Sequence, residues 1–127
     1  MFSAQTAEVE SVPAADREPG AVLERWHDLD ESGPHLLWEA RDTVSVAELA
    51  VGWSRIGRSH GADIRIDDPT VSRRHALVVR TPDDGLRALD DRSLNGLFVN
   101  GSRVESAPLA DGDELEIGRF RLYVHLG

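Results

Sequence analysis

Phe120-Arg121-Leu122-Tyr123-Val124-His125-Leu126 alternates strictly, with Phe120, Leu122, Val124 and Leu126 on one face and Arg121, Tyr123 and His125 on the other. A period of two is the signature of a strand that buries one side. Working back along the chain, short apolar or β-branched runs predict strands at His35–Arg41, Val44–Leu49, Trp53–Gly57, Ile64–Ile66, His75–Arg80, Leu86–Asp90, Leu97–Asn100 and Glu114–Ile117. Turn signals punctuate them at Gly61, Asp68-Pro69, Pro82-Asp83-Asp84-Gly85, Asn95-Gly96, Asn100-Gly101, Asp111-Gly112 and Gly118. Many short strands, regular turns and no helical pattern over residues 35–127 predict an all-β antiparallel sandwich or barrel. In such a fold the connections gather at the two ends, where binding residues are held.

The preceding segment reads differently. Residues 1–20 are Ala, Glu, Ser and Pro with almost no large apolar side chains, too little to offset the entropy of ordering. Residues 21–30 carry Val22, Leu23, Trp26 and Leu29 at helical spacing, ended by Gly33-Pro34. A helix this short needs something to pack on, either the domain itself or a partner. The expected organisation is therefore a largely flexible extension, residues 1–34, followed by one sandwich domain, residues 35–127.

The formal charge of −9 is unevenly placed: residues 1–42 hold ten carboxylates against three arginines, and the remainder thirteen against eleven. A chain this acidic is poorly suited to tracking a polyanion, so no nucleic-acid partner is expected. The absence of cysteine removes disulfides, thiol nucleophiles, iron–sulfur clusters and cysteine-held zinc. The five histidines (His27, His35, His60, His75, His125) form no His-x-x-x-His pair, so neither a metal nor another cofactor is expected. After position 42 the longest apolar run is Ala76-Leu77-Val78-Val79, and the N-terminus lacks a basic start. A cytoplasmic location with no membrane partner is the resulting expectation.

Three clusters in turn positions carry chemistry: Gly57-Arg58-Ser59, Val71-Ser72-Arg73-Arg74-His75, and Asp90 to Gly101 with Ser93-Leu94-Asn95-Gly96 inside it. Singly, each has a structural explanation. Arg58 reads as a solvated charge, Ser72 as a turn cap, His75 as a core histidine and Asn-Gly as a hairpin turn. Jointly they bring guanidinium forks, a hydroxyl and a carboxamide to neighbouring loops, which suits a tetrahedral dianion. A phosphorylated side chain supplies such charge and three strong acceptor oxygens. No Gly-x-Ser-x-Gly elbow or Walker-type loop is present, and Ser72 and His75 diverge on an extended segment, so an enzyme is not expected.

Gly-Arg, then Ser-x-x-His, then Ser-x-Asn-Gly and Val-Asn-Gly resembles the forkhead-associated (FHA) family. The matching segments are Ile56-Gly57-Arg58, Asp67 to His75, Ser93 to Gly96, Val99-Asn100-Gly101 and Leu109 to Gly118, spread over residues 35–127. The resemblance implies an eleven-stranded β-sandwich that binds phosphothreonine peptides and recruits phosphorylated partners in Ser/Thr kinase signalling. It implies that Arg58, Ser72 and Arg73 contact the phosphate and that Asn95 hydrogen-bonds the ligand main chain. His75 would tie the Ser72 loop to its neighbours, Gly57 would permit the turn presenting Arg58, and Ser93 and Gly96 would shape the Asn95 loop. Arg74 is expected to point away from the phosphate. Two positions depart from the family pattern: Leu97 stands where Thr is common, and Leu94 replaces a hydroxyl found in some relatives. Both bear on the choice of side chain three residues after the phosphothreonine.

Two further readings stay open. The same sandwich could serve as a phosphate-independent scaffold that binds an unmodified partner. Thr6, tethered close to the domain, could become an intramolecular ligand once phosphorylated, or the extension could simply solubilise the chain.

Overall fold

The computed structural model describes residues 33–83 and 85–126 in full and residues 9–12 as backbone. Twelve strands lie among them: β1 (Val9–Val12), β2 (His35–Ala40), β3 (Thr43–Glu48), β4 (Gly52–Gly57), β5 (Ile64–Arg65), β6 (Ala76–Arg80), β7 (Leu86–Asp90), β8 (Leu97–Val99), β9 (Ser102–Val104), β10 (Ser106–Leu109), β11 (Glu114–Ile117) and β12 (Phe120–His125). They form a seven-stranded sheet, β1-β3-β2-β12-β11-β8-β9, and a five-stranded sheet, β10-β7-β6-β4-β5. Strands β2 to β12 supply the eleven-stranded sandwich.

Alternation drives the packing. Phe120, Leu122 and Val124 of β12 and Leu115 and Ile117 of β11 are buried, while Arg121 is exposed. They meet Ile56, Ala76, Val78 and Ala88 of the other sheet in one core. Each fully buried Leu or Ile contributes roughly 1.5–3 kcal/mol of hydrophobic stabilisation. His125, on the outward face, is buried beside His35 with ring centroids 5.9 Å apart.

Four features differ from the sequence reading. β4 and β5 run parallel, pairing Ile56 with Ile64 and Gly57 with Arg65. Because β5 is only two residues long, the chain returns to it without retracing a full strand. β9 and β10 were not expected, since both are edge strands with little apolar alternation. At an edge, Pro108 costs no ladder bond. Lastly, Val9–Val12 forms a strand inside the segment expected to be largely flexible. Main-chain pairing with β3 requires no large side chains, and Val9 faces Ala47 while Val12 faces Val44. The predicted helix at 21–30 lies outside the described residues. No helix among the described residues is long and apolar enough to cross a membrane.

Strand direction fixes where the connections emerge. β4 and β7 end, and β6 and β8 begin, at one end of the sandwich, so the loops after β4, β5 and β7 share it. The Gly118-Arg119 turn between β11 and β12 joins them there, where the Arg119 N–H donates to Thr70 Oγ1 at 3.1 Å. Residues His35, Glu48 and His125 mark the opposite end.

Candidate functional site

Gly57 closes β4 in a space that admits no side chain. A Cβ there would lie 2.2 Å from the Arg73 carbonyl oxygen and 2.9 Å from its carbon. The glycine is therefore required by close approach of two backbones. That approach allows Arg58 N–H to donate to Ser72 O at 2.9 Å and Ser59 N–H to Arg73 O at 3.1 Å. The Arg58 side chain is then aimed by its Nε, which donates to Val71 O at 3.1 Å, while Arg65 Nε donates to the Arg58 carbonyl at 2.9 Å. No carboxylate among the described residues pairs with Arg58, so its terminal nitrogens keep donors to offer.

His75 is fully buried and joins two loops. Its Nδ1 accepts the Ser72 N–H at 3.0 Å, and its Nε2 lies 2.9 Å from the Gly96 carbonyl oxygen. This pattern fits a neutral ring with its proton on Nε2. Ser72 Oγ in turn accepts the Leu94 N–H at 2.9 Å, which leaves the hydroxyl proton to donate elsewhere. In the loop after β7, Ser93 Oγ donates to Asp90 Oδ1 at 2.5 Å and accepts the Gly96 N–H at 2.9 Å. Gly96 adopts φ +94, a region that favours glycine. Asn95 has no positive φ, unlike Asn100 and Gly101 (φ 50 and 85), which close the β8–β9 hairpin as an Asn-Gly turn should.

The exposed Asn95 carboxamide is oriented from below. Its Nδ2 donates to Thr70 O at 3.1 Å, leaving Oδ1 and one N–H outward. Thr70 is itself held by buried Asp68, whose Oδ2 accepts Thr70 Oγ1–H at 2.5 Å and Thr70 N–H at 2.9 Å. Arg119 Nη2 completes the set, 2.7 Å from Asp68 Oδ1. The Thr70 hydroxyl holds the Asp68 carboxyl below its usual value of 3.8, against the opposing effect of burial, with the Thr70 N–H and the Arg119 charge assisting. A carboxylate with a lowered folded value stabilises the loop fully above that usual value and loses the contribution as pH falls below it. Asp68→Asn should therefore loosen Thr70 and Asn95 at neutral pH and flatten the acid dependence seen in wild type, as read from the Asn95 side-chain NMR signals between pH 6 and 2.5. An unchanged acid titration of those signals in Asp68→Asn would refute the coupling.

The structure thus brings Arg58, Ser72 and Asn95 into one hydrogen-bonded frame made of three loops. Arg73 and Ser59 line an adjoining cavity of ≈ 220 Å³ with Gly61 and Arg74. Arg74 is engaged by Asp91 through Nε–Oδ2 at 3.1 Å and Nη2–Oδ1 at 3.2 Å. Sequence reasoning set Asp68 and Thr70 in a matched segment and Asp90 in the third cluster without giving them a site role, and missed Arg119. Asp68-Pro69-Thr70 carried a usable signal, because an Asp whose carboxylate bonds the N–H two residues on is a recognised turn former. Arg119 carried none, since its partner lies far away in sequence.

A family model described as FHA domain matches residues 54–118, just over half of the chain. The glycogen accumulation regulator GarA of Mycobacterium tuberculosis is 52% identical over 66 residues, covering 52% of this chain and 40% of the regulator. An ABC transporter ATP-binding/permease protein of the same organism is 49% identical over 75 residues, covering 59% of this chain and 9% of the transporter. The matched stretch thus spans less than half the length of either relative. A solved domain from a study of phosphothreonine-dependent FHA interactions superposes with a TM-score of 0.69 at 29% identity, covering 76% of this chain and 98% of that one. With the model match running through all three loops of the frame and the same sandwich in a solved member, the chain belongs to the forkhead-associated domain family.

Proposed function

We propose that this chain is a phosphothreonine-reading module that recruits phosphorylated partner proteins in Ser/Thr kinase signalling. One observation carries the reading: the Arg58 guanidinium is aimed by Val71 O and paired with no described carboxylate, beside the Ser72 hydroxyl and the Asn95 carboxamide. Arg58, Ser72 and Arg73 hold the phosphate, and Asn95 holds the ligand main chain. Gly57, His75, Ser93 and Gly96 keep the loops in register. The solved relative's interactions depend on phosphothreonine, in line with this assignment. The task is recognition without a covalent step, carried out in the cytoplasm by the sandwich of residues 35–127, with residues 1–34 as an acidic extension.

Charge-assisted hydrogen bonds contribute roughly 1.5–3 kcal/mol each. Three or four of them, less the cost of fixing a flexible peptide, leave an affinity on the order of micromolar. Ser72→Ala and Asn95→Ala should each weaken a phosphothreonine peptide by about ten-fold or more in a calorimetric titration. The unphosphorylated peptide should show no heat. Equal binding of the two peptide forms would favour the phosphate-independent scaffold instead.

Thr6 lies outside the described residues. β1 enters its pairing with β3 at Val9–Ala47, toward the end marked by Glu48 and remote from Arg58. Phosphorylated Thr6 would therefore act as an intramolecular ligand only after β1 had left β3.

A further inference from the structure

A second cavity, ≈ 250 Å³, opens between the sheets beside the recognition loops. Its floor is apolar: Trp38, Ile66 and Phe120, each less than a tenth exposed. Its rim carries three arginines, Arg41, Arg65 and Arg119. Two are already balanced, since Arg65 lies 3.5 Å from Asp67 Oδ1 and Arg119 2.7 Å from Asp68 Oδ1. Arg41 is not: it is exposed and has no ion pair among the described residues. It also stands in the two-residue β2–β3 turn with φ 58, a conformation that favours Gly or Asn and is unfavourable for an arginine. An arginine unpaired among the described residues, held in such a conformation at the rim of an apolar cavity, offers its charge to a carboxylate.

The cavity is tied to the phosphate frame by hydrogen bonds through the residues that line it. Arg119 and Asp68 line it and hold Thr70, which orients Asn95. Arg65 lines it too and donates to the Arg58 carbonyl. Its volume is below that of sites for cofactors or drug-sized molecules and suits one or two side chains. Resting on the phosphothreonine reading above, we propose that this cleft is a second subsite for the same partner, taking an aromatic or aliphatic side chain with an adjacent carboxylate that pairs with Arg41. Partner choice then depends on two points, the phosphate and an apolar-acidic pair some residues away.

The test is a panel of phosphothreonine peptides in which a Phe-Glu pair replaces Ala-Ala at successive flanking positions, measured by fluorescence anisotropy. At one placement, Phe-Glu should bind the wild-type chain roughly ten-fold tighter than Ala-Ala. Arg41→Gly, which the positive φ suits, should remove most of that gain. Arg41→Glu should abolish it and favour Phe-Lys. The Ala-Ala peptide should bind all three proteins alike. A gain that persists in both Arg41 variants, or no gain at any placement, overturns the subsite while leaving phosphate recognition intact. Failure of the Ala-Ala phosphopeptide to bind wild type overturns both.

Discussion

Arg58→Ala should abolish phosphopeptide binding, with affinity falling by about two to three orders of magnitude in a titration with a phosphothreonine peptide. The side chain reaches its place at the cost of one donor, Nε, committed to Val71 O at 3.1 Å, so its remaining nitrogens form a fork of fixed direction. Two charge-assisted bonds of roughly 1.5–3 kcal/mol each account for that loss. Arg58→Lys should recover only part of it, because an ammonium cannot donate from two fixed points or keep the Val71 contact. Folding should change little, since one part-buried hydrogen bond contributes about 1 kcal/mol. Wild-type affinity in Arg58→Ala would show that the phosphate, if read at all, is read elsewhere.

Gly57→Ala should be the most damaging small substitution in the molecule. The new methyl would stand 2.2 Å from the Arg73 carbonyl oxygen, and backbone cannot yield as a flexible side chain can. Relief requires β4 to move from the Ser72-Arg73 segment, breaking the bonds from Arg58 N–H and Ser59 N–H and the one that Gly57 O accepts from Ile66 N–H. Overpacking and lost bonds together should cost about 3 kcal/mol or more. That corresponds to a fall in Tm exceeding roughly 10 °C for a domain of this size. Gly61→Ala is the control, since the nearest atom to its added carbon is Ser59 Oγ at an ordinary 3.7 Å. Matching melting curves for Gly57→Ala and wild type would disprove the close-approach argument.

The sandwich was legible because burial on one face imposes a period of two, and β12 shows it in Phe120, Leu122 and Val124. Edge strands escape that rule. Ser102–Val104 and Ser106–Leu109 are short and give the core only Leu109, with Val104 and Ala107 packed against it, too few positions to mark a period. Among the site residues, Arg58, Ser72 and Asn95 stood in recognisable local motifs, and Asp68 in a local turn, whereas Arg119 was invisible because its partner Asp68 lies far away in sequence. Gly57 shows a third limit: its identity was legible, but its reason was not. Only the neighbouring Arg73 carbonyl explains it.

The seven-stranded sheet is bordered on one side by a segment from the very start of the sequence, with β1 lying along β3 through four residue pairs. An unoccupied flank on β3 would present a row of unsatisfied N–H and C=O groups, the usual template for templated self-association. By covering that flank from its own chain, the molecule replaces the six-residue β3 at the border with a four-residue strand, a shorter template for adhesion.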